Sequence, residues 1–265
     1  MEGLSLNWKI ACIQFDIAFG NPEANIDKVY KLLKVAGEEK PDIIVLPELW
    51  STGYDLERLN KIADSGGFVT TKLLKSAAKE LGVHIVGGSI AKKTNKGIYN
   101  TMLTVNNDGE VVGEYSKLHL FRLMDEHHYL QPGKTDGMFQ LDGEHCAGFI
   151  CYDIRFPEWI RAHTTKDAKA IFVVAEWPLA RVEHWRTLLI ARAIENQCFV
   201  IACNRSGADP NNAFAGHSMI INPWGEVLAE AGVGEEIITA TVDLAKVDEV
   251  RKKIPIFEDR RPQYY

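Results

Sequence analysis

Three observations predict an α/β fold for this sequence of 265 residues. Short β-rich runs alternate with segments of helical periodicity almost throughout. Two hairpin signatures interrupt the alternation, at Asn107-Asp108-Gly109 and at Pro223-Trp224-Gly225. No linker or low-complexity stretch divides the chain, so a single domain over 1–265 is expected, of a size that buries a large core. Alternating βα units with interposed hairpins imply a mixed sheet, or two sheets, covered by helices.

The elements follow in order. "KIACIQF" (9–15) is a buried-strand run. A helix comes next: Asn21 caps it, Pro22 takes its first position, and Ile26, Val29, Tyr30 and Leu33 fall at i, i+3, i+4 and i+7. Gly37 is expected to stop it. "DIIVLPE" (42–48) is the next strand and ends at Glu48. Leu73, Leu74, Ala77 and Leu81 mark an amphipathic helix closed by Gly82, followed by the strand "VHIVGGS" (83–89). "TMLTVNNDGEVVGEY" (101–115) is the first hairpin. Then come the strand "HCAGFI" (145–150), a helix from Pro157, the strand "AIFVVA" (170–175), a helix over 183–196 and the strand "CFVIAC" (198–203). The second hairpin turns at 223–225, and the chain ends in a short helix with a polar, Pro-containing tail.

Composition excludes several partners. The formal charge is -6 and no Lys/Arg stripe offers phosphates a footprint, so no nucleic acid is expected. No apolar run approaches the ~20 residues that cross a bilayer, so no membrane span is expected. The start, "MEGLSLNWK", has neither a basic n-region nor an apolar h-region, which argues against a secretory signal. Five cysteines without framework spacing suit a reducing compartment, with cytoplasm the expectation. There is no CxxC, and the adjacent His127 and His128 are expected to point apart, so neither metal nor cofactor is expected.

In open α/β sheets the functional crevice lies at the carboxyl ends of the strands. Glu48 directly follows "IIVLP" and Cys151 directly follows "GFI". Lys117, in "YSKLHLF", follows the hairpin strand 110–115. Singly, each has an ordinary explanation: a small core thiol, a turn-capping carboxylate, a solvated ammonium. Together they supply a nucleophile, a base and a cation at strand exits far apart in sequence. Cys12, Cys146, Cys198 and Cys203 lie inside strand-like runs and read as core, while Arg155 and Glu158 read as braces of the nucleophile loop. Glu176 and Trp177, after "AIFVVA", and Tyr54, soon after Glu48, are candidates to line the pocket.

"LPELW", "SKLHLF" and "GFICYDIRFPE", in this order and at these intervals, resemble the signature segments of the nitrilase superfamily of carbon–nitrogen hydrolases. "ARAIENQCFVIACNRSG", "GHSMIINPWGEVLAEAG" and "VRKKIPIF" extend the resemblance over the whole chain, most strongly to the omega-amidase and related bacterial amidase branch. The resemblance implies a four-layer αββα sandwich. It also implies that Glu48 is the general base, Lys117 the catalytic lysine and Cys151 the nucleophile, with Glu126 in "DEHHYLQPG" as a second glutamate. Asp125 is the rival for that last place. Family members are commonly homodimers or larger assemblies, so a homodimer or higher homo-oligomer is expected, with Phe257, Tyr264 and Tyr265 as a contact strip.

The chemistry accounts for these residue types. An amide carbon is a poor electrophile, and a thiolate attacks it strongly enough to form a thioester. Two carboxylates beside a thiol raise its pKa, which Lys117 and the helix starting near Pro157 oppose. Glu48 passes the thiol proton to departing ammonia and then activates water. Lys117 and the backbone N–H of Tyr152 are the natural donors to the oxyanion. The resemblance implies a cofactor-free amidohydrolase acting on a small ω-amide of a dicarboxylic acid, such as 2-oxoglutaramate. A desolvated distal carboxylate needs a cation, for which Arg181 and Arg205 are candidates. A nitrilase, an N-carbamoyl amidase and a deaminated-glutathione amidase would share these motifs. A catalytically silent binding protein would have lost one of them, and a Cys151 redox sensor would want a resolving cysteine nearby.

Overall fold

Two six-strand ladders of matching pattern organise the chain, seen in a computed structural model that describes residues 6–264. Tyr265 and the first five residues of the stretch read for a secretory signal lie outside the described residues. The strands are β1 (Asn7–Gln14), β2 (Ile43–Val45), β3 (Asp64–Ser65), β4 (His84–Thr94), β5 (Gly97–Val105), β6 (Val111–Ser116), β7 (Met138–Leu141), β8 (Glu144–Ile150), β9 (Ala170–Ala175), β10 (Phe199–Asn204), β11 (Met219–Ile221), β12 (Val227–Glu230) and β13 (Glu236–Asp243). The helices are α1 (Pro22–Glu38), α2 (Leu59–Ile62), α3 (Phe68–Leu81), α4 (Glu126–Tyr129), α5 (Pro157–Thr164), α6 (Val182–Asn196), α7 (Ala245–Lys253) and α8 (Ile256–Asp259).

The first sheet runs β13-β1-β2-β4-β5-β6, with β3 added beside β4; the second runs β12-β11-β10-β9-β8-β7. In each, a central parallel trio (β1, β2, β4 and β8, β9, β10) is flanked by antiparallel strands, one on one side and two on the other. Alternation along β1 separates the two faces of the first sheet. Ile10 and Cys12, with Ile43 and Val45, join one core with Phe172, Val174 and Ile201 of the second sheet and with Ile160 of α5 and Leu189 of α6. Ala11 and Ile13 instead face Val29 and Leu33 of α1 and Leu74 of α3. The layers are therefore helices, sheet, sheet, helices, and the expected αββα sandwich is what forms.

Local signals act largely as read. The Asn21 side chain accepts from Ala24 N–H and Pro22 starts α1, while Gly82 ends α3 in the left-handed region at φ 66°. Gly37 does not stop α1, which continues to Glu38; a Cβ there would stand 2.9 Å from Leu81 Cδ2, so the glycine lets α1 approach α3. Tyr30 points to solvent, and Asn25 is buried in its stead, bonding Ala18 and Ser51. The strand read over 83–89 extends to Thr94, and β7 and β13 are strands that the periodicity of their segments left unread.

Candidate active site

Because β6 lies antiparallel to β5, and β5 to β4, it points the same way as β2 and β4. The chain leaving β2 therefore carries Glu48, and that leaving β6 carries Lys117, at one edge of the first sheet. Cys151 follows β8 and Glu176 follows β9 at the corresponding edge of the second. The edges meet: Glu48 Oε2 accepts from the Glu176 N–H at 2.8 Å. Its Oε1 accepts from Lys117 Nζ at 2.9 Å, from Asn100 Nδ2 at 2.7 Å and from the Tyr54 hydroxyl at 3.3 Å. Glu126 closes the ring, with Oε1 2.6 Å from both Lys117 Nζ and the Tyr54 hydroxyl and Oε2 accepting from Phe121 N–H at 2.8 Å. The buried Cys151 thiol lies in the electrostatic field of Glu48, Lys117 and Glu126. Asp125, the rival to Glu126, is exposed, and Glu126 is the glutamate the fold buries.

Burial governs the charges. It opposes charge on Lys117, but Glu126 and Glu48 outweigh it and hold the ammonium well above the usual lysine range. Glu126 is raised by burial and by repulsion from Glu48, against the pull of Lys117. Burial pushes the Cys151 thiol well up, Glu48 adds to the rise, and Lys117 works against it. The resting arrangement is a neutral thiol near a carboxylate that an ammonium fixes. Cys151 itself sits at φ 47°, an unusual conformation for a residue with a Cβ.

A small cavity beside Cys151 is walled by Phe121, Tyr152, Arg155, Trp177, Pro178 and Arg181. It holds about 10 Å³, on the order of one water molecule. Arg181 stands over the Phe121 ring at 5.6 Å and Arg155 over the Trp177 ring at 4.7 Å. Among the described residues neither guanidinium is ion-paired with a carboxylate. Burial, with repulsion from Arg181, holds Arg155 below the usual guanidinium range although Cys151 and Tyr152 pull it up.

The structure places Tyr54, Trp177 and Arg181 beside Glu48, Glu126 and Cys151, but not Arg205. That side chain is fully buried in a salt bridge with Glu176 at 2.5 Å, and it also bonds Asp16 and the carbonyls of Ile17 and Ala208. Both terminal nitrogens of the guanidinium are thereby engaged, and its remaining donor, the Nε–H, is buried without a partner. Glu176 reaches the site through its backbone N–H, its carboxyl turned toward Arg205. Arg155, read as a brace only, lines the cavity as well. Sequence reasoning missed Asn100 and Phe121; a lone amide inside a β-run, "IYNTM", is the signal that marks Asn100. His127 and His128 do not point apart: their ring centroids are 3.9 Å from each other, and Asp125, just before α4, joins them, all three exposed. The four other cysteines are buried in strands or beside them, as expected.

A family model for carbon-nitrogen hydrolases matches residues 9–252. The chain is 54% identical over 260 residues to a 2-oxoglutaramate amidase of Bacillus subtilis (strain 168), covering 98% of this chain and 100% of that protein. It is 34% identical over 253 residues to the omega-amidase YafV of Yersinia enterocolitica, covering 95% and 96%. Among solved structures, XC1258 of Xanthomonas campestris, a CN-hydrolase superfamily protein with an arsenic adduct in its active site, matches with a TM-score of 0.91. Identity there is 32%, over 97% of this chain and 98% of that one. Nit3 of Saccharomyces cerevisiae, of branch 10 of the nitrilase superfamily, matches with a TM-score of 0.88 at 28% identity, over 95% and 96%. The chain belongs to the carbon–nitrogen hydrolase family. It is a hydrolase of carbon–nitrogen bonds other than peptide bonds.

Proposed function

We propose that the protein hydrolyses a small ω-amide of a dicarboxylic acid, of the 2-oxoglutaramate type, to carboxylate and ammonia. The observation that carries this reading is the pair of arginines, Arg155 and Arg181, facing the nucleophile across one cavity without a carboxylate of their own. They match the distal carboxylate of such a substrate, and the 54% identity to a 2-oxoglutaramate amidase points the same way. Cys151 Sγ attacks the amide carbon as its proton passes to Glu48. Lys117 and the Tyr152 N–H donate to the oxyanion; Glu126 and Tyr54 fix Lys117. Glu48 then protonates the departing nitrogen as the C–N bond breaks, leaving a thioester and ammonia. Water, deprotonated by Glu48, attacks the thioester; the C–S bond breaks and the thiol regains its proton.

The cavity is too small for such a molecule, so binding has to part the Phe121–Arg181 and Trp177–Arg155 contacts, which releases both guanidinium groups to the carboxylate. A charged contact of this kind is worth about 1.5–3 kcal/mol. The ω-amide acid is therefore expected to exceed its distal ester or its decarboxylated analogue by roughly ten- to a hundredfold in kcat/KM. Ammonia release, measured beside nitriles and N-carbamoyl compounds, tests this. Equal rates on charged and neutral amides would remove the dicarboxylate reading, and no ammonia from any compound would favour a silent binding protein.

The core shared by both sheets supports the whole chain acting as one domain, and five buried free cysteines support a cytoplasmic setting. A homodimer or higher homo-oligomer is proposed too, with mass measurement in solution as its check. Of the strip read for subunit contact, Phe257 lies under Arg161 and Arg251, whereas Tyr264 is exposed.

A further inference from the structure

An imidazole–carboxylate pair lies behind the turn that carries Cys151. The turn needs holding, because a left-handed conformation at a residue other than glycine is strained and persists only where its surroundings over-determine it. Asp153, fully buried, does that from two residues away. Its Oδ2 accepts from the Ile150 N–H at 3.0 Å and from the Tyr115 hydroxyl at 2.8 Å. Its Oδ1 accepts from the His119 N–H at 3.1 Å and lies 2.7 Å from His119 Nδ1. A carboxylate only accepts, so Nδ1 carries the proton. The imidazole is stacked on Phe156, with centroids 3.6 Å apart and planes at 10°, which fixes its direction.

The four donors fall in a telling place. Ile150 precedes Cys151, and Tyr115 and His119 lie two residues either side of Lys117. One carboxylate thus grips the nucleophile segment and both flanks of the lysine segment. Those segments come from different sheets, and Tyr115 is further tied by the Leu118 N–H at 3.2 Å and the Trp159 Nε1–H at 3.3 Å. If Asp153 served only to cap its own turn, the bond to Ile150 would suffice and His119 could be any stacking residue.

We propose that Asp153 and His119 are a positioning pair that sets Lys117 in register with Cys151, so that the oxyanion forms within reach of the ammonium. This rests on the catalytic roles proposed above for those two residues. Misplacing an oriented group by about 1 Å costs on the order of a hundredfold. His119→Ala is accordingly expected to lower kcat roughly ten- to a hundredfold with little change in KM. It should also slow iodoacetamide capture of Cys151 at pH 8, since a displaced Lys117 lowers the thiol pKa less. His119→Asn, whose side-chain N–H reaches the same Oδ1, should recover most of the loss in both readouts. Wild-type kcat in His119→Ala would overturn the proposal, as would His119→Asn remaining as impaired as His119→Ala at equal melting temperature. Should His119→Ala not fold, Tyr115→Phe carries the test: kcat several-fold lower at unchanged KM supports the pairing, and wild-type kcat overturns it. Cys151→Ala serves as the control. Turnover surviving there would defeat the catalytic reading, whereas a dead Cys151→Ala beside an unimpaired His119→Ala defeats the positioning pair alone.

Discussion

At the scale of single residues, the site is a neutral thiol awaiting a base. Burial and Glu48 raise the Cys151 pKa above the ordinary thiol value and Lys117 lowers it. A raised acid pKa means that the thiolate of the free enzyme appears only as pH climbs beyond the usual thiol range. Alkylation of Cys151 by iodoacetamide should therefore keep accelerating above pH 9, and Lys117→Met should slow it at each pH. A rate that levels off near neutrality would contradict this charge balance. Turnover has another route to the thiolate, transfer to Glu48 within the substrate complex. Glu48→Gln is expected to cut kcat by about 10²–10⁴. Combined with Lys117→Met, the loss should fall well short of the product of the two, as for groups acting as one unit; multiplicative losses would place them in separate tasks. Glu48, Lys117, Cys151 and Glu126 were legible because each stands in a motif. Arg205 was expected at the substrate and Arg155 only as a brace, yet Arg205 is buried against Glu176 while Arg155 lines the cavity, and no spacing in the sequence reveals that pairing.

Elements set where those residues can be. Glu48 lies just beyond β2, where the chain runs against β4: Leu46 N–H donates to Val86 O at 3.0 Å and Ser89 N–H to Pro47 O at 3.1 Å. Here the β4–β5 register shifts between Val86 and Ser89, and Gly88 takes φ 60°. A Cβ on Gly88 would stand 2.0 Å from Pro47 O, against backbone that cannot yield without moving Glu48. Gly88→Ala should cost at least about 1–3 kcal/mol of stability and depress kcat beyond what a lower folded fraction explains. Denaturation and titrated active-site kinetics would separate the two effects, and an unchanged kcat per folded molecule would free this bulge from any catalytic part. The "VGG" of the sequence announces a strand but not its kink, because the backbone it must clear, Leu46 and Pro47, is distant in sequence, just beyond β2. β13 was invisible for a related reason: nothing local marks it as paired, and its partner is the first strand of the chain.

For the whole molecule, the matching strand patterns put Glu48 and Glu176 at equivalent exits, β2 in one sheet and β9 in the other. One carboxylate faces the thiol. The other, pushed up to about 8 by burial despite Arg205, is locked into a salt bridge. Breaking a buried pair by removing one partner typically costs about 3–5 kcal/mol. Arg205→Ala is expected to destabilise the protein by that order in urea melts, while an Arg205→Ala protein of wild-type stability would show the pair to be replaceable by solvent. The layer count belongs to this scale, as it depends on which faces meet, and local periodicity is silent on that. The closure of the first sheet also bears on how the molecule is made. Its β1 edge is completed by β13, so residues separated by most of the chain's length must find each other, an arrangement of high contact order that folds slowly. During synthesis β1 waits, its backbone hydrogen bonds unmet on one side, until β13 has left the ribosome. Throughout that interval the nascent chain offers a bare strand edge to any neighbour, so the hazard of misassembly belongs to synthesis rather than to the finished enzyme.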